Sequence, residues 1–279
     1  MRRERSLLVP YTFLGIATVI SVFPFLWTIF ASTHTNSQVF QLGDTLKVGN
    51  NFIANYIGLT AFSPIWNNMF NSIFISGIFT IAVLIIDSMA GFAFAKYKFK
   101  GRDALFFVCI ASMFIPQQVT MVPLFIQLSK FNMMDSSSAI ILPALAAVFG
   151  VFLMRQNFMA FPNELIEASR IDGASDFRTF FTIVVPAMKP AFASLGILSF
   201  VNQWGNFMWP LIVLNTKSHF TMPLVLSLMV QPGQVVNYGA VMVGGVLALI
   251  PVLTFFLIFQ KNFIEGMLSG AVKGKCQLV

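Results

Sequence analysis

Charged side chains are scarce in this sequence. Its 17 Lys and Arg and 10 Asp and Glu make up 10% of the 279 residues, whereas 57% are hydrophobic. A soluble domain of this size needs more charge than that to cover its surface. The two cysteines, Cys109 and Cys276, and the two histidines are widely separated, so they form neither a disulfide framework nor a metal site. The composition therefore favours an integral membrane protein over a soluble enzyme.

Six apolar runs are candidates to cross a membrane, for which a helix needs about 20 apolar residues. They are predicted at Tyr11–Ala31, Phe70–Ala95, Ala104–Leu128, Ala139–Met154, Pro190–Leu214 and Gly239–Phe259. The fourth run is short, and Arg155 beside it can extend toward the interface to lengthen it. Pro116 and Pro123 are expected to bend the third. The predicted fold is all-α, with residues 1–10 preceding a six-span domain at 11–260 and a tail at 261–279.

The Lys and Arg residues lie mostly in alternate loops. Fourteen of the 17 fall on the side of the N-terminus, and three fall on the other side. The positive-inside rule then predicts a membrane protein with both termini in the cytoplasm. The net charge of +7 follows from this topology, and because the basic residues are spread over four loops, no nucleic-acid partner is implied.

One cytoplasmic loop, about 155–189, collects charge of both signs between two apolar runs. From Glu164 it reads ELIEASRIDGASDFRTFFTIVVPAMKP. Asn163 is a good N-cap residue for a helix that should run to Asp172. Gly173 then supplies the positive φ of a C-terminal turn. The loop is therefore predicted to be a helix, a glycine turn and a second helix.

The second helix is predicted to begin after a Ser175 cap and to end at Pro186. Its aromatic stripe should face the membrane or the helix bundle. The stripe consists of Phe177, Phe180, Phe181 and Val184. In the first helix, the small Ala168 and Ser169 would let another surface approach, and Glu167 and Arg170 offer charges to a partner. The alternative from the residues alone is an ordinary solvated connecting loop.

Polar residues inside the predicted spans are candidates for a transport path. Asp87 is the one charged residue of the second span, and a charge there is costly unless it is functional, paired or hydrated. Amide and indole groups, which suit sugar hydroxyls and sugar faces, cluster in the fifth span. They are Asn202, Gln203, Trp204 and Asn206, with Gln117 as a weaker candidate in the third span. Hydrogen bonding between helices and interfacial anchoring explain these residues equally well.

The cytoplasmic loop resembles the EAA loop of the membrane subunits of bacterial ABC importers. That pattern is Glu-Ala-Ala, three residues, Gly, nine residues, Ile, one residue and Leu-Pro. The matching positions are Glu167-Ala168-Ser169, Gly173, Ile183 and Val185-Pro186. Ser169 replaces the second Ala and Val185 replaces Leu, and both changes are conservative.

Further motifs resemble the carbohydrate branch of this family and extend the likeness over nearly the whole chain. They are GFAFAKYKFKGR after the second span, WGNFMWPL in the fifth and KNFIEGMLSGAVKG near the C-terminus. Gly205 stands where the family usually has Asn, so a role of that Asn does not carry over. The length resembles the smaller of the two permease subunits of maltose-type importers.

The resemblance implies a set of partners. They are a second, larger permease, two cytoplasmic ATPases, an extracytoplasmic sugar-binding protein and a sugar. It also implies that the loop docks in the ATPase and couples ATP-driven closure to alternating access. The residues expected to do so are Glu167, Ala168, Ser169, Arg170, Asp172, Gly173, Ile183 and Pro186. Because the sequence contains no P-loop, ATP and Mg are expected on the partner ATPase, and no cofactor on this chain.

Three alternative functions fit the sequence less well. One is a permease for glycerol phosphate or another small solute; a path for an anion is expected to have Lys or Arg deep in the spans, and none lies there. An ion-coupled secondary transporter needs several ionisable residues along its path, whereas the six predicted spans contain one Asp. A membrane enzyme would need a cluster of His, Asp and Glu near one membrane face. A neutral di- or oligosaccharide is the favoured substrate.

Overall fold

A computed structural model of the protein describes residues 2–145, 147–232 and 235–272. Throughout these ranges the regular elements are helices, with no strand, so the predicted all-α class is confirmed. Two features considered in the sequence lie outside them: Cys276 and the basic end of the predicted tail, with Lys273 and Lys275.

The helices are numbered in chain order. They are α1 (Arg2–Ala31), α2 (Leu42–Thr45), α3 (Phe52–Phe62), α4 (Ile65–Lys96), α5 (Arg102–Ser112), α6 (Gln117–Lys130), α7 (Ser137–Ala144), α8 (Val148–Met159), α9 (Asn163–Ile171), α10 (Asp176–Thr179), α11 (Val185–Ala187), α12 (Lys189–Trp204), α13 (Met208–Val213), α14 (Met222–Met229) and α15 (Tyr238–Val272). A π-helical turn, Phe180–Val184, joins α10 to α11, and a 3₁₀ turn, Lys217–His219, lies between α13 and α14.

Three long helices coincide with the first, second and sixth predicted spans. Over Pro10–Ala31, Ile65–Lys96 and Tyr238–Lys261 they are long and apolar enough to cross a membrane. The first of these stretches has 22 residues, and at 1.5 Å per residue it is about 33 Å long. The hydrocarbon core of a bilayer is about 30 Å thick, so each of the three can span it unbroken.

The third and fourth predicted spans are each broken into two helices. α5 and α6 meet at 95°, and Pro116 occupies the cap position of α6. Proline lacks an N–H and disfavours a helical residue before it, which ends α5 before the predicted span is complete. The predicted bend at Pro116 is confirmed, whereas Pro123 lies inside α6. α7 and α8 are likewise separated, and α8 continues past the predicted end at Met154.

The fifth predicted span is also interrupted. α12 has 16 residues, which is about 24 Å and shorter than the membrane core. The helix ends at Trp204 with Gly205 as its cap, and α13 resumes at Met208. Glycine has no side chain to favour helical geometry, which fits a break at this position. A continuous helix over Pro190–Leu214 is therefore wrong.

The described chain divides into two compact units. The first contains residues 2–69 and 222–250. Within it Asn55 is buried, and its Nδ2 donates to the carbonyl oxygens of Ser32 and His34, both at 2.8 Å. Met222 and Leu224 of α14 are fully buried. The apolar run Met222–Val230 is too short to cross a membrane, and the sequence predicts a short interfacial or re-entrant helix there or a helix lying on the bilayer surface. The helix is present, but its buried side chains make α14 part of a core, so a helix lying on the bilayer surface is wrong.

The second unit contains residues 70–221 and the chain from 251 on. Its core beneath α9 is aromatic, with Phe92 packed 5.5 Å from Phe158 and 5.3 Å from Phe180 between ring centroids. Arg155, predicted to extend toward the membrane interface, places its guanidinium 4.0 Å from the centroid of the Phe106 ring. This cation–π contact joins α8 to α5.

Candidate functional site

The first helix of the predicted docking loop, α9, has two different faces. Ile166 and Ser169 are buried against the rest of the second unit. The opposite face is exposed and combines aliphatic and acidic side chains. It consists of Leu165, Glu167, Ala168 and Ile171, of which Ile171 is 87% exposed. A helix that is held on one side and leaves large aliphatic side chains on the other is suited to a further protein contact.

The C-terminal end of α9 is closed by the predicted glycine turn. Gly173 has φ +78°, and its N–H donates to the carbonyl of Arg170 at 3.0 Å. The N–H of Ala174 donates to the carbonyl of Ser169 at 2.9 Å. Together these two bonds form a Schellman motif, whose left-handed position favours glycine. Asp172, expected to end the helix, is its exposed C-cap residue.

The N-terminal end of α9 differs from the prediction. Pro162 occupies the cap position, and Asn163 is the first helical residue. The Oδ1 atom of Asn163 accepts a hydrogen bond from Nζ of Lys96 at 2.8 Å. The predicted N-cap role of Asn163 is therefore wrong, because its side chain binds the lysine at the end of α4.

The hydroxyl group of Ser169 forms hydrogen bonds within the loop, which the small size of the side chain did not predict. Its side chain is buried, and its Oγ lies 2.8 Å from both the carbonyl oxygen of Ile166 and Oγ1 of Thr179. The hydroxyl therefore ties α9 to α10. The prediction that Ser169 makes room for a docked surface is wrong, whereas Ala168 does lie on the exposed face.

Arg170 is paired within the loop. Its guanidinium forms an ion pair with Asp176 at 3.1 Å and lies 5.6 Å from the centroid of the Tyr97 ring. Burial raises the pKa of the Tyr97 hydroxyl, and the neighbouring Asp176 carboxylate raises it further. Arg170 is predicted to meet a charge on a partner, and within this chain its guanidinium pairs with Asp176 across the glycine turn while its side chain stays about half exposed.

The second helix of the loop buries half of its predicted stripe. Phe180 and Val184 are buried, but Phe177 is 65% and Phe181 48% exposed. The π-helical turn at Phe180–Val184 widens the helix and changes which side chains face inward.

Two further positions of the EAA-type pattern follow this turn. Ile183 is half-buried, and Pro186 lies inside α11. The chain turns at Met188, where the helices on either side meet at 86°. The helix thus ends at Ala187, one residue after the predicted end at Pro186, because proline is tolerated in a first turn.

A cavity of about 420 Å³ lies among α4, α8 and α12 in the second unit. Asp87, Gly150, Ser199 and Asn202 line it together with apolar side chains. Asp87 is 2% exposed, and its Oδ2 has no hydrogen-bond partner among the described residues. The structure thus brings two predicted path residues, Asp87 and Asn202, to one cavity although they are far apart in sequence.

The remaining path candidates lie elsewhere in the second unit. Gln203, Trp204 and Asn206 surround a narrow polar pocket with Thr221. Within the described chain the Nε2 of Gln203 has no hydrogen-bond partner, whereas Trp204 stacks on an α12 phenylalanine. Gln117 is exposed at the start of α6 and lines neither space. The predicted cluster is therefore divided, because successive residues of a helix point in different directions.

Another polar centre joins the loop after α6 to the segment after α13. The Asp135 carboxylate accepts from the backbone N–H of Asn215 at 2.9 Å and of Thr216 at 3.1 Å. It also accepts from Oγ1 of Thr216 at 2.6 Å and lies 3.2 Å from Nδ1 of His219. Burial raises the pKa of Asp135, but the hydrogen bonds from Thr216, Asn215 and His219 outweigh it and lower the pKa to about 2.

Several residues of these sites were not predicted from the sequence. Three of them are Lys96, Tyr97 and Gly150. Each lies against residues of this chain that are more than 50 positions away, and no local sequence pattern marks such contacts. Asp176 had a detectable signal, since it and Arg170 are opposite charges on either side of the glycine turn. Two helices joined by a tight turn bring such side chains together.

Comparison with known proteins identifies the kind of chain that carries these features. Residues 87–268 match the family described as binding-protein-dependent transport system inner membrane component. The arabinooligosaccharides transport system permease protein AraQ of Halalkalibacterium halodurans is 36% identical over 281 residues, covering 98% of this chain and 100% of that protein. The lactose transport system permease protein LacG of Rhizobium radiobacter is 33% identical, covering 98% of each.

Two other similarities concern substrate range and fold. The sn-glycerol-3-phosphate transport system permease protein UgpE of Escherichia coli is 29% identical, covering 92% of this chain and 93% of that protein. A crystal structure of a bacterial ABC transporter that imports the acidic polysaccharide alginate contains a chain with a TM-score of 0.77. At 23% identity, covering 94% of this chain and 98% of that one, it supports the fold.

Proposed function

This chain belongs to the family of binding-protein-dependent transport inner membrane components, and we propose that it is the permease subunit of an ATP-driven importer for a di- or oligosaccharide. Relatives named for arabinooligosaccharides and lactose support this substrate class. Membership of the family makes the chain a transport subunit, so chemistry on the substrate is not its task.

The observation that carries the proposal is the exposed face of α9. The exposed side chains are those of Leu165, Glu167 and Ile171. On the other side of the helix, buried Ile166 and the hydrogen-bonded Ser169 attach it to the rest of the second unit. Aliphatic side chains in water are unfavourable by about 25 cal/mol per Å² of apolar surface. A cytoplasmic ATPase that covers this face would relieve that cost and could pull or push the helix when it binds ATP.

The proposed topology has six membrane passages with both termini in the cytoplasm. The three long helices supply the first, second and sixth passages. We assign the third to α5 and α6, the fourth to α7 and α8, and the fifth to α12 and α13. Breaks within spans are tolerated where protein or a polar cavity satisfies the freed backbone groups. The charge distribution of the sequence supports the orientation.

The assembly needs four kinds of partner besides the membrane lipid. ATP and Mg bind to two cytoplasmic ATPases, since this chain has no P-loop. A second, larger permease completes the pathway, and an extracytoplasmic binding protein delivers the sugar. ATP-driven closure of the ATPases displaces α9 and shifts the spans from an inward-open to an outward-open arrangement. Such a shift requires that ATP and sugar each bind the two arrangements with different affinity.

The cavity with Asp87 and Asn202 is the proposed contribution of this subunit to the path. An amide and a carboxylate offer both hydrogen-bond donors and acceptors for sugar hydroxyls. The relative named for sn-glycerol-3-phosphate favours a second candidate substrate, a phosphorylated polyol. No Lys or Arg is among the residues that line this cavity in the described chain, and a phosphate would need such a partner, so the neutral sugar is the better fit.

Uptake by proteoliposomes containing the complete complex tests the proposed function. Liposomes with ATP inside and binding protein outside should accumulate labelled arabinooligosaccharide or lactose, whereas a proton or sodium gradient without ATP should not support uptake. Glu167→Ala, at the exposed face of α9, should lower both uptake and binding-protein-stimulated ATP hydrolysis. Accumulation driven by an ion gradient alone, or uptake confined to sn-glycerol 3-phosphate, would contradict the proposal.

A further inference from the structure

Lys96, the last residue of α4, is attached to the beginning of α9. Its Nζ donates to the carbonyl oxygen of Phe161 at 2.5 Å and to Oδ1 of Asn163 at 2.8 Å. Hydrogen bonds from a charged donor are about twice as strong as neutral ones. The N-terminal end of α9 is therefore fixed to the end of the long helix.

Tyr97, the next residue, is attached to the other end of α9. The Arg170 guanidinium lies 5.6 Å from the centroid of the Tyr97 ring, and its Nε and Nη2 donate to Oδ1 of Asp176 at 3.3 and 3.1 Å. The Tyr97 hydroxyl interacts with both of these charged groups. One tyrosine thus contacts the last turn of α9 and the start of α10.

The aromatic core packs against the middle of α9, between these two attachments. Phe92, one turn before Lys96 on α4, packs against Phe180, and Ile166 of α9 is buried in the same core. α9 has nine residues and is roughly 13 Å long. A helix of that length held at one end can pivot about that end, but one held at both ends and in the middle must move with its support.

We propose that Lys96 and Tyr97 are positioning residues that join both ends of α9 to α4, so that α4 moves with α9 when the ATPase displaces it. α4 also carries Asp87, which lines the cavity about 13 Å further along the helix at 1.5 Å per residue. The displacement is thereby passed to the cavity by one continuous helix. The inference rests on the proposed function and adds the residues through which this subunit is driven.

The test measures sugar transported per ATP hydrolysed in the reconstituted complete complex. Lys96→Met keeps the aliphatic stem but removes the donor of both hydrogen bonds, and it should lower this ratio by about tenfold or more. Complex yield and ATP hydrolysis should persist. Lys96→Arg should restore most of the ratio, and Lys98→Met, the same change at an exposed lysine two residues away, should leave it unchanged.

A charge exchange tests the second attachment. Arg170→Asp alone should lower the ratio, and the double variant Arg170→Asp with Asp176→Arg should recover at least half of it. If Arg170 instead served the ATPase directly, the exchange would not restore transport, and this part of the inference would be overturned.

Two results would overturn the inference as a whole. One is an unchanged ratio in Lys96→Met; the other is a loss of uptake and ATP hydrolysis in equal proportion, which indicates a merely structural role. Failure of the proposed function gives a different result, because the wild-type complex would then show no ATP-dependent sugar uptake at all.

Discussion

The carboxyl group of Asp87 occupies the space that a side chain at position 150 would fill, and Gly150 has no side chain there. A Cβ added to Gly150 would lie 2.9 Å from Cγ of Asp87 and would overlap its Oδ2. The two residues belong to different helices, α8 and α4, and both line the cavity of the second unit. A glycine at this point therefore permits an acidic side chain between two closely packed helices.

Gly150→Ala should destabilise the protein because the added methyl group has no room. Overpacking of this kind costs about 1–3 kcal/mol, which thermal unfolding of the purified complex would detect as a lower midpoint. Asp87→Ala in the same chain should reverse much of the loss by removing the overlapping carboxyl group. Gly77→Ala, where an added Cβ meets nothing within 4 Å, is the matched control. Equal midpoints for Gly150→Ala and Gly77→Ala would show that the two helices adjust freely.

Gly173→Val should separate backbone strain from coupling. The left-handed conformation costs a residue with a side chain about 1–2 kcal/mol, and a β-branched residue is the least tolerant. Gly101, with φ +81°, is a second left-handed glycine, in the loop after α4. Both valine variants impose similar strain, but Gly173→Val should abolish binding-protein-stimulated ATP hydrolysis and uptake while Gly101→Val keeps them. If Gly101→Val also loses both activities, backbone strain alone explains the effect of Gly173→Val.

The glycine turn and the cavity differ in how far they follow from the sequence. Helix ends depend on residues within a few positions, so Gly173, Ser175 and the length of α9 are predictable from capping preferences. The breaks at Pro116 and Gly205 also have local causes, but an average of hydrophobicity over a window conceals them. Predictions from local pattern thus succeed for the loop and only partly for the spans.

Contacts between distant elements are not predictable in this way. Ser169 fits either an exposed docking surface or an internal bond, and only the position of Thr179 decides between them. The burial of α14 depends likewise on the elements around it, since an apolar run of eight residues suits a bilayer surface and a core equally.

Asn202→Leu should reduce sugar uptake without reducing the yield of assembled complex. Asn202 is exposed and lines the cavity with Asp87, so replacing its amide removes a hydrogen-bonding group from the proposed path. The matched variant is Asn206→Leu, at the narrow pocket around Gln203, and it should lower complex yield instead. Uptake per assembled complex in vesicles distinguishes the two. A normal uptake rate in Asn202→Leu would remove this cavity from the path.

Asp135→Asn should lower stability at neutral pH. The low pKa of the wild-type carboxyl means that its charged form is favoured by folding. This stabilisation is fully present above the ordinary pKa of 3.8 and is lost as the pH falls through about 2. The loss at pH 7 should be about 1 kcal/mol, since solvent screens a partly exposed group.

The pH dependence of unfolding checks this assignment. The difference in thermal midpoint between wild type and Asp135→Asn should shrink as the pH is lowered from 3.8 toward 2. Asp103→Asn, which breaks a surface pair with Arg102, should have the smaller effect at pH 7. A difference that stays constant down to pH 2 would mean that the Asp135 charge is not what holds the segment after α13.

Photocrosslinking from α9 tests the docking of this helix to an ATPase most directly. A photoreactive phenylalanine analogue at Ile171, which is 87% exposed, should capture a P-loop ATPase from the intact, transporting complex. The same analogue at Phe131, which is 72% exposed and lies in a loop assigned to the opposite membrane side, should not. Capture of the ATPase at Ile171 but not at Phe131 is the predicted result. Absence of capture at Ile171 in a complex that still imports sugar, or equal capture at both positions, would contradict the account.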